Sequence, residues 1–249
     1  MSDPWRVVRH ERVDSTNERA LSAIAAGEAL HGEVHVARVQ TSGRGRRGSR
    51  WESNVGEGLY ASYVLFPSPP GPPAPLVTMS AGLALLDAVR ELGLTHVRLD
   101  WPNDMNVGAA KLAGILVETR GLAPERPHLV VGIGLNVRQT SFSPELEGER
   151  PVTSLLREGL DVSVERALEH TTRALQARWK EAELHPEGVP AKYLEAAGLA
   201  RAAVHVEHAA GNARGRILAL DLRRGMSLET DDGRTLQLAL EHVRAVVPV

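Results

Sequence analysis

Cysteine is absent from this chain of 249 residues. Disulfide bonds and thiolate metal sites are therefore excluded, and a reducing, cytoplasmic compartment is favoured. Long apolar runs are also missing, because no segment reaches ~18 uninterrupted apolar residues and the N-terminus has no apolar core of the signal-peptide type. We expect a soluble cytoplasmic protein without membrane association.

An excess of charge of one sign is likewise missing. The formal net charge is -2, so no global field draws the protein to nucleic acid or anionic lipid. Aromatic residues make up only 4% of the chain, which disfavours a surface that stacks on bases. Lysine is scarce: three of the 29 basic residues are lysines, so a lysine inside a motif stands out from the arginine background.

The hydrophobic periodicity predicts a mixture of strands and helices. A capping box, Ser15 followed by Glu18, predicts a helix start before ERALSAIAAGEAL. Further segments have the apolar spacing of strands or of buried helices. The predicted strands are 34–40, 58–66, 96–101, 112–120 and 128–137, and the predicted helices are 75–93 and about 163–184. The strands are clustered rather than alternating with helices, which indicates the α+β class with a mixed sheet flanked by helices.

The pattern of apolar and turn-forming residues changes near residue 200. Short strand-like runs with frequent turn signals follow, and no helix is predicted among them. This pattern is typical of a small β-barrel of about fifty residues. We therefore expect two domains, a larger α+β domain over 1–198 and a β-barrel over 199–249.

The segment QTSGRGRRGSRW (40–51) concentrates arginine and glycine. Its GRGRRG core matches G-x-G-x-x-G, but a strand rather than a helix is predicted after it, so the dinucleotide-binding interpretation fails. Glycines let backbone N–H groups turn toward an anion, and guanidinium forks match phosphates and carboxylates. We expect an anion-binding loop that is mobile until its ligand offsets the repulsion among the cations. A solvated turn and a nucleic-acid-binding arm are the alternatives.

A second constellation lies in RLDWPNDMNVGAAKLAGILVE (98–118). Pro102 fixes the chain so that Asn103 and Asp104 leave the strand end together. Such an oxygen pair suits Mg²⁺, which prefers one or two carboxylates plus substrate phosphates. Lys111, at the start of the next strand, supplies a compact charge that suits a position between a carboxylate and a phosphate. The alternative is a hairpin turn with a surface lysine.

A third element is VVGIGLNV (130–137). Gly132 and Gly134 weaken an apolar strand and mark the close approach of another backbone or of a ligand. Asn136 offers an amide near that approach. A bulge or a tight helix–strand contact explains the glycines equally well.

Together and in this order, DSTN (14–17), QTSGRGRRGSRW, WPNDMNVGAAKLAGILVE and GIGLN resemble the biotin–protein ligases, over about residues 10–247. The resemblance implies a class II synthetase-like catalytic domain followed by an SH3-like barrel. It also implies two chemical steps: biotin and MgATP give biotinyl-5′-AMP, and a lysine of a biotin carboxyl carrier protein domain then takes the biotinyl group. Attachment of lipoate or octanoate by a related fold is the nearest alternative.

The resemblance also implies roles for individual residues. Lys111 and Arg46 would be catalytic, and Asp104 with Asn103 would hold Mg²⁺. Trp51 would cover the adenylate, although a plain core tryptophan is an equal alternative. The implied biotin-binding residues are Ser15, Thr16, Asn17, Gln40, Gly43, Arg44, Gly45, Arg46, Lys111, Gly114, Gly132 and Gly134. The implied ATP- and adenylate-binding residues are Arg44, Arg46, Arg47, Trp51, Asn103, Lys111 and Asn136.

Two positions depart from the family pattern. Asp100 precedes Trp101 where a basic residue is usual, and Ser49 stands where a further basic residue is common. Only about thirteen residues precede Ser15, too few for the DNA-binding domain that some members carry, so we expect no operator binding. Both a monomer and a homodimer are compatible with the sequence.

Overall fold

A seven-stranded sheet organises most of the chain in this computed structural model, which describes residues 5–119, 127–209 and 211–249. Its strand order is β1-β2-β3-β7-β6-β5-β4. Strands β1 and β2 are parallel and all other neighbours are antiparallel, so the sheet is mixed. The strands are β1 Val7–Val13, β2 Val34–Gln40, β3 Gly58–Leu65, β4 Arg98–Asp100, β5 Asp104–Val107, β6 Ala110–Glu118 and β7 Leu129–Asn136.

Helices cover both faces of this sheet. They are α1 Thr16–Ala25, α2 Ala74–Leu92, α3 Pro144–Glu149, α4 Val164–Leu184 and α5 Val189–Ala196. The helices α2 and α4 pack on one face and enclose the main hydrophobic core, whereas α1 lies on the opposite face against Val64 and Val130. No helix in the described part of the chain is both long and apolar enough to cross a membrane.

Side chains alternate between the two faces of the large sheet, so neighbouring residues of one strand have different surroundings. Tyr63 and Val131 point into the main core, so their neighbours Ser62 and Gly132 face the side of α1. On that side α1 covers Val64 and Val130, whereas Ser62 and Gly132 contact the polar side chains of Thr16 and Asn17. This face is therefore the part of the sheet that is available for a site.

The predicted α+β class and the predicted major elements are confirmed, with ends shifted by at most a few residues. The predicted end of one strand at residue 120 lies outside the described residues. The capping box is wrong: Ser15 occupies the N-cap position, but its side chain makes no capping hydrogen bond and is buried. Five elements were not predicted, namely β1, β5, α3, α5 and the last strand of the chain, Val243–Pro248. The first of them, VVRHERV, is a largely exposed edge strand whose charged residues mask its strand character.

A second, five-stranded sheet follows near the C-terminus, as the sequence predicted. Its strands are β8 Ala203–His208, β9 Gly211–Asp221, β10 Gly225–Thr230, β11 Thr235–Leu238 and β12 Val243–Pro248, in the antiparallel order β11-β10-β9-β8-β12. The predicted boundary at 198/199 falls in the connection between α5 and β8. Buried residues such as Val206 and Ile217 belong to the same hydrophobic cluster as the main core, so the two parts pack as one body.

Candidate functional site

A cleft of about 220 Å³ lies on the α1 face of the large sheet. It brings together four sequence segments that are far apart along the chain. The predicted site residues that line it are Ser15, Thr16, Asn17, Gln40, Arg44, Gly45, Arg46, Trp51, Asn103, Asp104, Lys111, Gly114, Gly132 and Gly134. Three predicted residues, Gly43, Arg47 and Asn136, do not line it.

A larger cavity of about 810 Å³ lies elsewhere, between α4, β9 and the proline-rich loop 67–73 that joins β3 to α2. Its walls are mainly prolines and apolar side chains, and none of the predicted site residues reaches it. Size alone does not define a binding site, which also needs convergent polar groups. The smaller cleft has such groups and is therefore the candidate functional site.

One end of the cleft is lined by the uncharged polar side chains of Thr16, Asn17 and Gln40, with the Arg44–Glu118 ion pair beside them. Gln40 Oε1 accepts hydrogen bonds from the backbone N–H of Thr16 at 2.8 Å and from its hydroxyl at 3.1 Å. Ser62 Oγ lies 2.7 Å from the same hydroxyl and 2.5 Å from Asn17 Oδ1. Asn17 Nδ2 donates to Glu118 Oε2 at 2.8 Å, so both ends of this amide are held by the protein. Ser62 was missed, although a serine inside the apolar strand GLYASYVLF was a usable signal.

The glycines of β6 and β7 accommodate protein side chains. A Cβ atom on Gly132 would overlap Asn17 Oδ1, and one on Gly134 would overlap the Trp51 indole. On Gly114 it would lie 3.0 Å from Trp51 Cζ3 and 3.2 Å from Lys111 Nζ. The close approach predicted for Gly132 and Gly134 therefore exists, but the approaching groups are Asn17 and Trp51. Contact of these glycines with a ligand remains a prediction.

The basic loop has a defined, hydrogen-bonded form. Trp51 N–H donates to Gly43 O at 2.9 Å, and Gly45 N–H donates to Ser49 O at 2.7 Å. The Ser49 hydroxyl donates to Arg46 O at 2.8 Å and closes a short 3₁₀ turn. Ser49, one of the two departures from the family pattern, therefore shapes the loop. Mobility before ligand binding stays a prediction, but these bonds hold the loop together.

Arg44 illustrates how the repulsion inside the loop is offset. Its guanidinium lies 2.5 Å from Glu18 Oε1 and 2.7 Å from Glu118 Oε2, and its side chain is 28% exposed. A half-buried cation is stabilised by such partners. Arg44 thus joins the loop to α1 and β6 with its charge already balanced, whereas the sequence indicated a cation directed at a phosphate. Glu18 and Glu118 were missed because neither lies near the loop in sequence.

The other end of the cleft is cationic. Lys111 Nζ lies 2.7 Å from Asp104 Oδ2, and Arg150 Nη1 lies 2.9 Å from the same oxygen. Arg46 Nη1 donates to Asn103 Oδ1 at 3.1 Å. Burial lowers the pKa of Lys111, an effect that Asp104 opposes, and burial together with Arg47 lowers the pKa of Arg46. Three cations face one carboxylate, so an anion is favoured here.

These side chains do not fit the predicted magnesium ion. Asp104 Oδ2 already faces two cations, and Asp104 Oδ1 accepts from Asn103 Nδ2 at 3.2 Å. The remaining oxygen of the pair, Asn103 Oδ1, accepts from Arg46. No group of three metal-ligating side chains occurs among the described residues. We therefore derive no chemical step through a metal held by Asn103 and Asp104.

Asp100, the second departure from the family pattern, lies in the β4–β5 hairpin and does not line the cleft. Its carboxylate accepts a hydrogen bond from Asn106 Nδ2 at 3.1 Å. Burial raises its pKa, and the nearby Asp104 adds to this effect. The Asp100 side chain therefore contacts Asn106 inside the hairpin and is not part of the wall of the cleft.

Trp51 stands between the cleft and a second cavity of about 100 Å³. Its ring packs over Gly134, and Lys111 Nζ lies 5.5 Å from the ring centroid. Asn136 lines the second cavity and donates from Nδ2 to Thr153 O at 2.9 Å. Arg47 is exposed, with φ 55°, and lines a separate groove together with Arg46. The tryptophan is thus part of a partition between two cavities rather than of the core.

The same architecture occurs among solved ligase structures. The biotin protein ligase from Aquifex aeolicus, solved in complex with biotin and ATP, matches with a TM-score of 0.78 at 25% identity. The match covers 98% of this chain and 99% of that one. Residues 10–136 match the model of the biotin/lipoate A/B protein ligase family. The chain belongs to this family.

Named relatives agree with the family membership. A biotin--[acetyl-CoA-carboxylase] ligase of Paracoccus denitrificans is 38% identical over 177 residues, which cover 68% of this chain and 70% of the relative. The bifunctional ligase/repressor BirA of Escherichia coli is 39% identical over 126 residues. That match covers 50% of this chain but only 38% of the relative.

Proposed function

We propose that the protein activates biotin with ATP to biotinyl-5′-AMP and transfers the biotinyl group to a lysine of a biotin carboxyl carrier protein domain. One observation carries this proposal: the cleft joins a neutral polar end, at Thr16 and Gln40, to a cationic end, at Arg46 and Lys111. The neutral end suits the uncharged ureido head of biotin. The cationic end suits the place where its carboxylate meets a phosphate.

Adenylation joins two anions, which repel each other. An oxygen of the biotin carboxylate forms a bond to the α-phosphorus of ATP, and the bond from that phosphorus to the bridging oxygen breaks. Pyrophosphate leaves with the electron pair. Lys111 and Arg46 offset the negative charge at the meeting point, and burial strengthens this effect because the local dielectric is low. The nucleotide base would occupy the second cavity beside Trp51 and Asn136.

Transfer of the biotinyl group to the acceptor lysine takes place in the same cleft. The acceptor lysine amine attacks the carbonyl carbon of the mixed anhydride, the bond to the AMP oxygen breaks, and the amine proton passes to solvent. AMP leaves with the electron pair. The names of the relatives support a carboxylase carrier domain as acceptor. The magnesium requirement, the absence of a nucleic-acid partner and the choice between monomer and homodimer stay predictions.

Pyrophosphate–ATP exchange on the purified protein tests the proposal directly. Biotin, lipoate and octanoate are supplied in separate reactions, and radioactive pyrophosphate appearing in ATP is measured. We expect exchange with biotin and none with the other two acids. Exchange with lipoate or octanoate alone would reassign the substrate, and no exchange with any acid would reject the adenylation step.

Arg46→Gly is expected to release the activated intermediate. Arg46 reaches from the loop to Asn103 at 3.1 Å and links the loop to the turn after β4. Removing this link opens one wall of the cleft, so biotinyl-5′-AMP escapes before transfer. We expect indiscriminate biotinylation of added albumin, detected with streptavidin. Lys180→Ala, on the exposed side of α4, is the control, and an Arg46→Gly enzyme that labels only its carrier would contradict this role.

Asp104→Asn is expected to move the alkaline limit of adenylation to lower pH. Burial lowers the pKa of Lys111 and the Asp104 carboxylate raises it. Without that carboxylate the pKa falls further, so Lys111 loses its proton, and its catalytic charge, at a lower pH. The measurement is kcat/KM for exchange as a function of pH. An alkaline limb that stays in place would show that Lys111 protonation does not set it.

A further inference from the structure

We propose that Arg150 binds the β- and γ-phosphates of ATP and stabilises pyrophosphate as it leaves. This inference rests on the proposed function and adds a residue to it. Arg150 follows α3 in the segment SPELEGERPV, where the sequence pattern gave no sign of a site. In the structure its side chain lines the cleft.

The backbone fixes Arg150 beside Lys111. Lys111 N–H donates to Pro151 O at 2.9 Å, and Thr153 N–H donates to Lys111 O at 2.9 Å. These two bonds form a parallel bridge between the start of β6 and the chain that follows α3. Arg150 is therefore held at the cationic end by main-chain contacts that do not depend on its own side chain.

Asp104 is paired with two cations, whereas Arg150 shares this one carboxylate with Lys111. Asp104 Oδ2 is shared by Lys111 at 2.7 Å and Arg150 at 2.9 Å, and no second carboxylate is paired with Arg150 among the described residues. The Arg150 side chain is 47% exposed, whereas those of Lys111 and Asp104 are 19% and 15% exposed. Arg150 is thus the member of the trio that can turn toward a ligand while Lys111 keeps Asp104 neutralised.

The position of Arg150 indicates that it binds the phosphates of ATP rather than biotin. Among the described residues, those that border both the cleft and the second cavity are Ser49, Arg50, Trp51, Lys111 and Arg150. They surround the junction where a nucleotide would pass from one to the other. Thr16 and Gln40, which suit the head of biotin, belong to the cleft alone. A planar guanidinium matches two phosphate oxygens at once. Because pyrophosphate must leave toward solvent, an exposed cation at the junction is well placed to bind it as it leaves.

Pyrophosphate–ATP exchange by Arg150→Met tests this role. We expect KM for both ATP and pyrophosphate to rise about tenfold to hundredfold, as for the loss of a charged hydrogen-bonding partner. KM for biotin should stay unchanged, and so should the rate of transfer from preformed biotinyl-5′-AMP to the carrier domain. Arg150→Lys keeps a point charge and should recover part of the loss. Arg173→Met is the matched control, because it removes a surface arginine of α4 that is paired with Glu91 of α2.

Two results would overturn the assignment. Unchanged KM values for ATP and pyrophosphate in Arg150→Met would show that Arg150 does not bind phosphate. An equal loss in exchange and in transfer from the preformed adenylate would show that it acts through Lys111 or through the fold. Failure of the proposed function itself is distinguishable, because the unmodified protein would then show no biotin-dependent exchange.

Discussion

Replacing Lys111 by alanine is expected to lower the rate of biotinyl-5′-AMP formation by about a hundredfold to a thousandfold, the usual cost of removing one preorganised charge or donor from a reacting centre. The ammonium group is mostly buried, lies 2.7 Å from Asp104, and faces both cavities beside Trp51. Pyrophosphate–ATP exchange with saturating biotin measures the loss.

The same variant is expected to remain folded. After the substitution Asp104 keeps its contact with Arg150, so no buried carboxylate is left without a cation. Thermal unfolding followed by circular dichroism checks this point, and Lys180→Ala on the exposed side of α4 is the lysine control. A folded Lys111→Ala protein with undiminished biotin-dependent exchange would remove Lys111 from the catalytic residues.

The sequence could predict Lys111 because lysine is rare in this chain and stands in a strand–turn–strand pattern. The resemblance to the biotin–protein ligases brought together four segments, and residues of all four line one cleft. Arg150 could not be predicted in this way. It reaches the cleft through a bridge between Lys111 and Val152, and such a pairing depends on the path of the chain after β7 rather than on local pattern.

Arg44 shows a different limit of sequence reasoning. Four arginines within seven residues indicate positive charge, but the pattern does not say which guanidinium pairs with a carboxylate. Glu18 comes from α1 and Glu118 from the end of β6, so their meeting at Arg44 depends on the tertiary fold. The charge directed at a ligand is therefore smaller than the composition of the loop suggests. Besides Arg44, the cations that line the cleft are Arg46, Arg50, Lys111 and Arg150.

Gly134→Ala is expected to lower the enzyme's use of ATP more than the addition of a methyl group at any other glycine of the site. Gly134 pairs with Tyr60 on one side and with Gly114 on the other, so its backbone cannot retreat. The new methyl group would overlap the Trp51 indole, which must then move. Because Trp51 separates the two cavities, we expect kcat/KM for ATP to fall by about a hundredfold, as for an ~1 Å misplacement of a positioning group.

A double-mutant cycle separates this steric effect from a general loss of stability. If the methyl group acts by displacing the indole, Gly134→Ala should cost little more once Trp51→Ala has removed that ring, so the two losses will not add. Gly148→Ala, on α3 with no atom near the new methyl group, is the matched control and should leave exchange unchanged. Additive losses in the double variant would mean that Gly134 serves the nucleotide step by a route other than room for Trp51.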